Sequence, residues 1–448
     1  MHLESIAAIS TAFGTAGISV IRISGESAIL EFNKIFKGRD LNKVKSHTVH
    51  YGHIINNDGS HLDEVMVTVL RAPKTFTAEN TVEVNCHGGI LITQKVLERI
   101  LELDIRLANP GEFSERAYLN GRIDLVEAES IMDLIHAKSE KAMKIANLGV
   151  QKETSKLIRN LRDKLLTIIA HIEVNIDYPE YDDAIVMSKE IIKPKTLDLI
   201  NEIDLILRES QKNQIIRDGV KTAIVGKPNV GKSSLLNALL DEERAIVTEI
   251  EGTTRDTIEA YINVSGVTLK LMDTAGIRDT EDVVEKIGVN RSKKAITEAE
   301  LVLLVLDRSK ALTKEDQTLL ALTKDQRRII IGNKADLPKA LQLEEVLSIS
   351  TLTKEGLKDL EKAILKLLSL EDIESRDFNY LSNVRHIQKV KEAKQSLLNV
   401  LASIEIDMPV DVYAIDLTQA WKSLGEILGE YYQDDLLNEL FSKFCLGK

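Results

Sequence analysis

Residues 226–233 read Gly-Lys-Pro-Asn-Val-Gly-Lys-Ser, a complete G-x-x-x-x-G-K-S pattern. The apolar run Thr222-Ala-Ile-Val precedes it and Ser234-Leu-Leu-Asn-Ala-Leu-Leu follows it. Strand, glycine loop and helix, in that order, are the setting that a phosphate-cradling loop needs. The glycines let main-chain N–H groups approach phosphate oxygens, and the helix N-terminus adds a favourable dipole. Lys232 would then reach the β- and γ-phosphates, and Ser233 would ligate Mg²⁺. A glycine-rich turn with a solvated lysine is the bland alternative, and the flanking strand and helix argue against it.

Further elements name the base. Asn333-Lys334-Ala335-Asp336 follows the apolar Ile329-Ile-Ile and has the N-K-x-D form. An Asp carboxylate accepts two hydrogen bonds from guanine N1–H and its 2-amino group. Adenine offers no such pair. Asp273-Thr274-Ala275-Gly276 ends another apolar run, Thr268–Met272, and places a carboxylate near Mg²⁺ and a glycine near the γ-phosphate. Gly252-Thr253-Thr254-Arg255-Asp256 supplies switch threonines, and Ser348-Ile349-Ser350 fits a final base-contacting loop. Each element is modest on its own, but together in this order they specify GTP.

Two expected parts are missing. Ile277 stands directly after Gly276, where a water-orienting Gln would sit in Ras-like proteins. A carboxylate from Asp279, Glu281, Asp282 or Glu285 is the natural substitute, and solvated loop charge explains the others. A cation near the bridging oxygen is missing as well. Asn229 with oxygens from Thr248–Thr253 would cage a hard monovalent ion, although Asn229 fits equally well as a spacer.

Composition sets the limits. The chain has 448 residues, enough for two or three domains. With 58 basic and 70 acidic residues, its net charge of −12 excludes a general polyanion binder, so nucleic acid must meet a local basic patch. At 4% aromatic content, base stacking is not the main recognition device. Cys86 and Cys445 are the only cysteines, which points to a reducing compartment. Met1-His-Leu-Glu has no signal-peptide character, and no stretch is apolar enough to span a bilayer. The expectation is a cytoplasmic protein without stable membrane insertion.

The segment up to about residue 118 alternates strand-like runs (17–23, 64–70, 81–85) with a helix near 91–103, an α+β pattern. His87 beside Gly88-Gly89 reads as turn structure more readily than as a ligand, and Cys86 as a small buried residue. From 119 to 216 long helical patterns take over, carrying Lys138, Lys141, Lys144, Lys152, Lys156, Arg159, Arg162 and Lys164. That run is either a nucleic-acid-facing patch or an ordinary solvated face. Helices resume from 372 to 448. The expected architecture is therefore multidomain α+β and α/β. An N-terminal domain (1–118) is followed by a helical domain in two parts (119–216 and 372–448), with a Ras-like phosphate-loop domain (217–371) inserted between them.

The phosphate loop with Pro228-Asn229, the run Ala245-Ile-Val-Thr-Glu-Ile-Glu-Gly-Thr-Thr-Arg-Asp256 and the closing Phe444-Cys-Leu-Gly-Lys448 together resemble the MnmE (TrmE) family of tRNA-modification GTPases. Pro110-Gly-Glu-Phe-Ser-Glu-Arg-Ala117 and Ile123-Asp-Leu-Val-Glu-Ala-Glu129 extend the resemblance over the whole chain; Leu446 replaces the usual Ile. The resemblance implies that Glu285 orients the attacking water. It implies K⁺ ligation by Asn229, Thr248, Ile250 and Thr253, the middle two through carbonyls, and Mg²⁺ ligation by Ser233 and Thr254. GTP contacts then cover Asn229, Val230, Gly231, Lys232, Ser233 and Ser234; Thr248, Glu249, Ile250, Glu251, Gly252, Thr253 and Thr254; Asp273, Thr274, Ala275 and Gly276; and Asn333, Lys334 and Asp336.

In the family the N-terminal domain binds a tetrahydrofolate derivative (the 5,10-methylene or 5-formyl form). Arg22, Glu83, Arg122 and Lys448 match its contact positions, and Arg122 replaces a Lys found in some members. Cys445 is a candidate thiol for the modification chemistry, with simple packing as its equal alternative. The implied assembly is a homodimer, joined by the flavoprotein MnmG (GidA) into a heterotetramer. Its implied task is to add an aminomethyl or carboxymethylaminomethyl group to C5 of the wobble uridine of certain tRNAs. A ribosome-assembly GTPase acting as a switch is the competing class, but it leaves Cys445-Leu-Gly-Lys448 unexplained.

Overall fold

The computed structural model describes residues 4–177, 189–240, 260–272, 295–370, 381–431, 434–444 and 447. The chain divides into two compact units, Met1–Met132 with Gly425–Lys448, and Asp133–Leu424.

The first unit is built on a seven-stranded sheet. Its elements are β1 (Ser5–Ile9), β2 (Ile18–Ser24), α1 (Ala28–Asn33), β3 (Phe36–Gly38), β4 (Thr48–Ile55), β5 (His61–Leu70), β6 (Thr81–His87), α2 (Ile90–Leu101), β7 (Ile105–Leu107) and α3 (Glu112–Leu119). The strand order is β3-β4-β5-β6-β2-β1-β7, antiparallel except for the β1–β7 pair. Alternation explains the layering, since successive strand side chains face opposite ways. Ile21, Ile23, Val65, Val67, Val82 and Val84 share a buried core with Phe32, Val96 and Ile100. Arg22 and Glu83 occupy the intervening positions and lie opposite each other across β2 and β6. Cys86 is buried, as its reading as a small packed residue requires.

The end of the chain returns to this unit. After α4 (Leu125–His136, continuing into the second unit) come nine further helices among the described residues, the last over Asp434–Ser442. Phe441 and Phe444 of this last segment join Ala117, Leu125 and Met132 in one apolar cluster. Gly111, at φ +73°, is required here because a Cβ would come within 2.2 Å of the Phe441 carbonyl oxygen.

The second unit combines helices with a nucleotide-binding type of sheet. The first helical patterns after residue 119 are three helices with breaks between them: α4, α5 (Glu140–Val150) and α6 (Glu153–Asp177). Ser139 caps α5 by accepting from Ala142 N at 3.1 Å. Lys152, at φ +67°, forces the second break. Next comes α7 (Lys189–Asp218), closed by Gly219 at φ +72°. The sheet consists of β8 (Val220–Val225), β9 (Ala260–Val264), β10 (Val267–Leu271), β11 (Leu301–Asp307), β12 (Arg328–Asn333) and β13 (Leu347–Ser348). Its order is β13-β12-β11-β8-β10-β9, and only β9 runs antiparallel to its neighbour. Around it lie α8 (Lys232–Leu240), α9 (Lys314–Leu322) and α10 (Leu357–Leu367). Every residue of β11 is buried. Leu301, Leu303 and Val305 serve one face and Val302, Leu304 and Leu306 the other, as expected of a parallel strand covered on both sides.

The chain leaves this Ras-like domain into α11 (Val384–Glu405) and α12 (Val410–Leu428). Helix α11 runs antiparallel along α7. The pairs Lys189–Asp407 at 2.7 Å, Lys193–Glu405 and Lys394–Asp204 at 2.5 Å follow one another along that contact. Arg162 of α6 is buried, with its guanidinium carbon 4.2 Å from the ring centre of Trp421 on α12. Segments before and after the Ras-like domain therefore build one helical region. Three of the eight basic residues seen in the sequence are engaged with other parts of this unit. Arg162 is in this stack, Lys164 pairs with Glu202 at 2.6 Å, and Lys141 lies along Gly266 of the β9–β10 turn.

Candidate functional site

In open α/β sheets, ligands bind beyond the carboxyl ends of the strands. The phosphate loop leaves β8, Asp307 ends β11, Asn333 ends β12 and Ser350 follows β13, so all four meet on that edge. The loop is shaped by backbone that few residues tolerate. Asn229 has φ +60° and Gly231 φ +98°. A Cβ on Gly231 would stand 2.1 Å from Asn333 Nδ2, so glycine is obligatory there.

Asn333 acts as a staple. Its Nδ2 donates to Val230 O at 2.9 Å, and its Oδ1 accepts from Thr351 N at 3.2 Å. The phosphate loop and the final base-side loop are thereby tied to β12. Ser350 donates to Asp336 Oδ1 at 2.6 Å, which fixes the carboxylate expected to read guanine. Lys334 donates to Asp307 Oδ2 at 2.7 Å. Burial alone would raise the Asp307 carboxyl, but hydrogen bonds from Lys334 and Ser309 hold it below its usual value. Lys232 opens α8 and donates to Lys227 O at 2.9 Å. Burial pulls its ammonium below the ordinary lysine value, so an anionic partner would be strongly favoured there. The geometry suits a nucleotide held at both ends, with phosphates over the loop and base against Asp336. Asn229, Ser233 and Ser234 are exposed on the loop and the first turn of α8, and Val230 is buried beneath them.

In the N-terminal unit, Arg22 donates through Nε at 3.0 Å and Nη2 at 2.8 Å to Glu83 Oε1. Its guanidinium carbon is 5.7 Å from the Phe76 ring centre and 5.8 Å from that of Phe113. Arg122 is exposed after α3. Gly447 lies against the end of β1: its carbonyl accepts from Ser10 Oγ at 3.2 Å, and a Cβ would meet Ile9 O at 2.3 Å. Ile9 pairs with Ile21, next to Arg22.

Comparison with known proteins agrees with this geometry. A profile described as "GTP-binding protein TrmE N-terminus" matches residues 5–122, and one described as "MnmE helical domain" matches residues 125–445. The tRNA modification GTPase MnmE of Acholeplasma laidlawii (strain PG-8A) is 67% identical over 448 residues, covering 100% of both chains. Those of Aster yellows witches'-broom phytoplasma (strain AYWB) and Bacillus cytotoxicus are 55% and 51% identical, again over 100% of each chain.

The chain belongs to the MnmE family of tRNA modification GTPases.

As an MnmE-family member it is a GTP hydrolase, with an N-terminal TrmE-type domain, a helical domain and an inserted Ras-like domain. No helix among the described residues is long and apolar enough to cross a membrane. Glu285, Thr248, Glu249, Ile250, Glu251, Gly252, Thr253, Thr254, Asp273, Thr274, Ala275, Gly276, Cys445 and Lys448 lie outside the described residues. Sequence reasoning missed Asp307 and the Lys227–Asp316 contact. An acid closing the buried run of β11 was one available signal, and Thr313-x-x-Asp316, a capping-box spacing, was another. It also missed Phe76 and Phe113 around Arg22, for which no local signal exists.

Proposed function

We propose that this GTP hydrolase is potassium-dependent and works with a flavoprotein of the MnmG (GidA) kind. Together they would add an aminomethyl or carboxymethylaminomethyl group to C5 of the wobble uridine of certain tRNAs. Residues 217–371 form its nucleotide domain, 119–216 and 372–448 its helical domain, and 1–118 its tetrahydrofolate and dimerisation domain. It acts as a cytoplasmic homodimer. Ser233 on α8 would hold Mg²⁺ together with Thr254, and the exposed amide of Asn229 is a hard oxygen donor suited to K⁺. Thr248, Ile250 and Thr253 complete that cage, and Glu285 orients the attacking water. The bound ions would supply positive charge where phosphate charge develops.

The observation that carries the one-carbon half of this reading is the seat of Gly447. Gly447 lies against the end of β1, the strand that pairs with the Arg22 strand. Arg22 and Glu83 offer a cation and a carboxylate side by side, matching a tail carboxylate and a pterin amino group. Arg122 and Lys448 add positive charge for the tail.

Two measurements test the proposal. GTP turnover in potassium should exceed that in sodium at equal ionic strength. A strain carrying only Arg22→Ala should lack the C5 modification in digests of its tRNA. Equal turnover in both salts removes the potassium claim, and unchanged wobble uridine removes the folate claim.

A further inference from the structure

The second residue of the phosphate loop has a use that the phosphate-binding pattern does not require. Lys227 turns its side chain back toward the start of α9. Its ammonium donates to Asp316 Oδ2 at 2.8 Å and to Thr313 Oγ1 at 3.2 Å. Both partners of the ion pair are largely enclosed, with 16% and 4% of their side chains exposed. Burial would raise the Asp316 carboxyl, but the Lys227 ammonium and the Thr313 N–H and hydroxyl outweigh it and hold it low.

The helix does not need Lys227 in order to begin. Thr313 and Asp316 already form a reciprocal capping box: Thr313 N donates to Asp316 Oδ2 at 2.9 Å, and Asp316 N donates to Thr313 Oγ1 at 3.4 Å. A neutral residue at 316 would serve that purpose at lower cost. Instead a carboxylate is buried there, and its Oδ1 has no hydrogen-bond partner among the described residues. A buried charge left half-satisfied is expensive unless a counter-charge is held close. Lys227 is that counter-charge, and what it adds is a tie between the phosphate loop and α9.

The same residue acts through its main chain. Its carbonyl receives the Lys232 ammonium at 2.9 Å. Gly226, immediately before it, leaves no room toward β11, since a Cβ would stand 2.4 Å from Val305 O. One side of the loop is thus wedged by β11, and Lys227 fastens the next residue to α9. The carbonyl that aims the phosphate-binding amine is held from behind.

We infer that Lys227 is a positioning residue for GTP. Through its ion pair with Asp316 it holds the phosphate loop and Lys232 in the conformation that receives the nucleotide. The inference rests on the family's GTPase activity and not on potassium, folate or the flavoprotein. Because the loop is set before binding, Lys227 acts on GTP and GDP alike and not on the chemical step.

The test uses full-length Lys227→Met, Lys227→Arg, Asp316→Asn and Thr313→Ala. Dissociation constants for GTP and GDP are measured with fluorescent analogues, alongside kcat and Tm. Loss of a charge-assisted tie predicts that Lys227→Met weakens both nucleotides about tenfold. Its kcat at saturating GTP should stay within about twofold of the parent. Lys227→Arg keeps the charge and should recover most of the affinity. Asp316→Asn tests the pair from the other side and stands in if Lys227→Met does not fold. Thr313→Ala removes the cap and the weaker of the two Lys227 hydrogen bonds but spares the ion pair, so it should lower Tm while weakening both nucleotides by no more than about twofold. Parental affinity in Lys227→Met, or in Asp316→Asn where it stands in, overturns the inference. So does a loss of affinity in all four variants that simply follows Tm.

Discussion

The nucleotide edge of the second unit and the Arg22–Glu83 corner of the first hold their charged groups in opposite ways. At the nucleotide edge, the groups that would meet ligand are positioned by other residues. Ser350 holds Asp336, Asp307 holds Lys334, and Asn333 holds the loop. In the N-terminal unit the two candidate ligand contacts hold each other. The first arrangement is set before ligand arrives and loses little on binding. In the second, a ligand must part an ion pair or receive it as a unit, so part of its binding energy is consumed. A site built in the first way suits tight, specific capture, and one built in the second suits a ligand that comes and goes.

The largest expected effect lies in chemistry alone. Glu285→Ala should lower GTP turnover by about a thousandfold, on the scale of a lost general base or water-positioning group. GTP affinity should stay nearly intact, and single-turnover hydrolysis set against equilibrium binding separates the two. Normal turnover would mean that another carboxylate orients the water. Gly231→Ala attacks the preset loop directly, because its methyl group must displace Asn333. Losing both staple bonds should weaken GTP and GDP by about a hundredfold, read by nucleotide titration, with pterin binding unchanged. Equal damage to pterin binding would erase the contrast between the sites. Arg22→Ala should weaken reduced-folate binding by tenfold or more, the worth of one charge-assisted contact. Calorimetry would show it, and GTP turnover should be untouched. Ser350→Ala should cost about tenfold in guanine nucleotide affinity, since Asp336 loses its fixed orientation.

The smallest effect is a difference in pH response. His87 is raised from 6.5, mainly by its hydrogen bond to Asp63 at 2.7 Å. Its contribution is full below that unfolded value and is lost as pH rises through the folded one. Asp307 and Asp316 are lowered from 3.8, so their contributions are present above that value and are lost as pH falls through the folded ones. Hydrogen exchange should therefore show β6 loosening slightly as pH rises past 6.5 and the nucleotide edge loosening only as pH falls below 3.8. A shared response of both regions would contradict it.

The sequence disclosed what is local. The phosphate loop and N-K-x-D each span a few residues, and the chemistry of each is complete within its own run. Ser350 was in reach for the same reason. Contacts between distant residues stayed hidden: Lys227 with Asp316, Lys334 with Asp307, and Arg22 with Glu83 join different elements, and local signals such as the capping box point to a residue but not to its distant partner. Arg22 and Glu83 were flagged only by resemblance to a family, since on their strands they look like ordinary charges. The long helical patterns before α7 were legible, but not their ends at Ser139 and Lys152, where a cap and a left-handed backbone interrupt the helices. Nor did the basic run there reveal that Arg162 turns inward.

That inward turn has a practical use. The chain contains one tryptophan, and it is the ring beneath Arg162. Its emission comes from a single place, the seam between a helix made before the Ras-like insertion and one made after it. Any movement that pries this seam apart during turnover would change colour or lifetime without a dye, and any movement that spares it would stay dark.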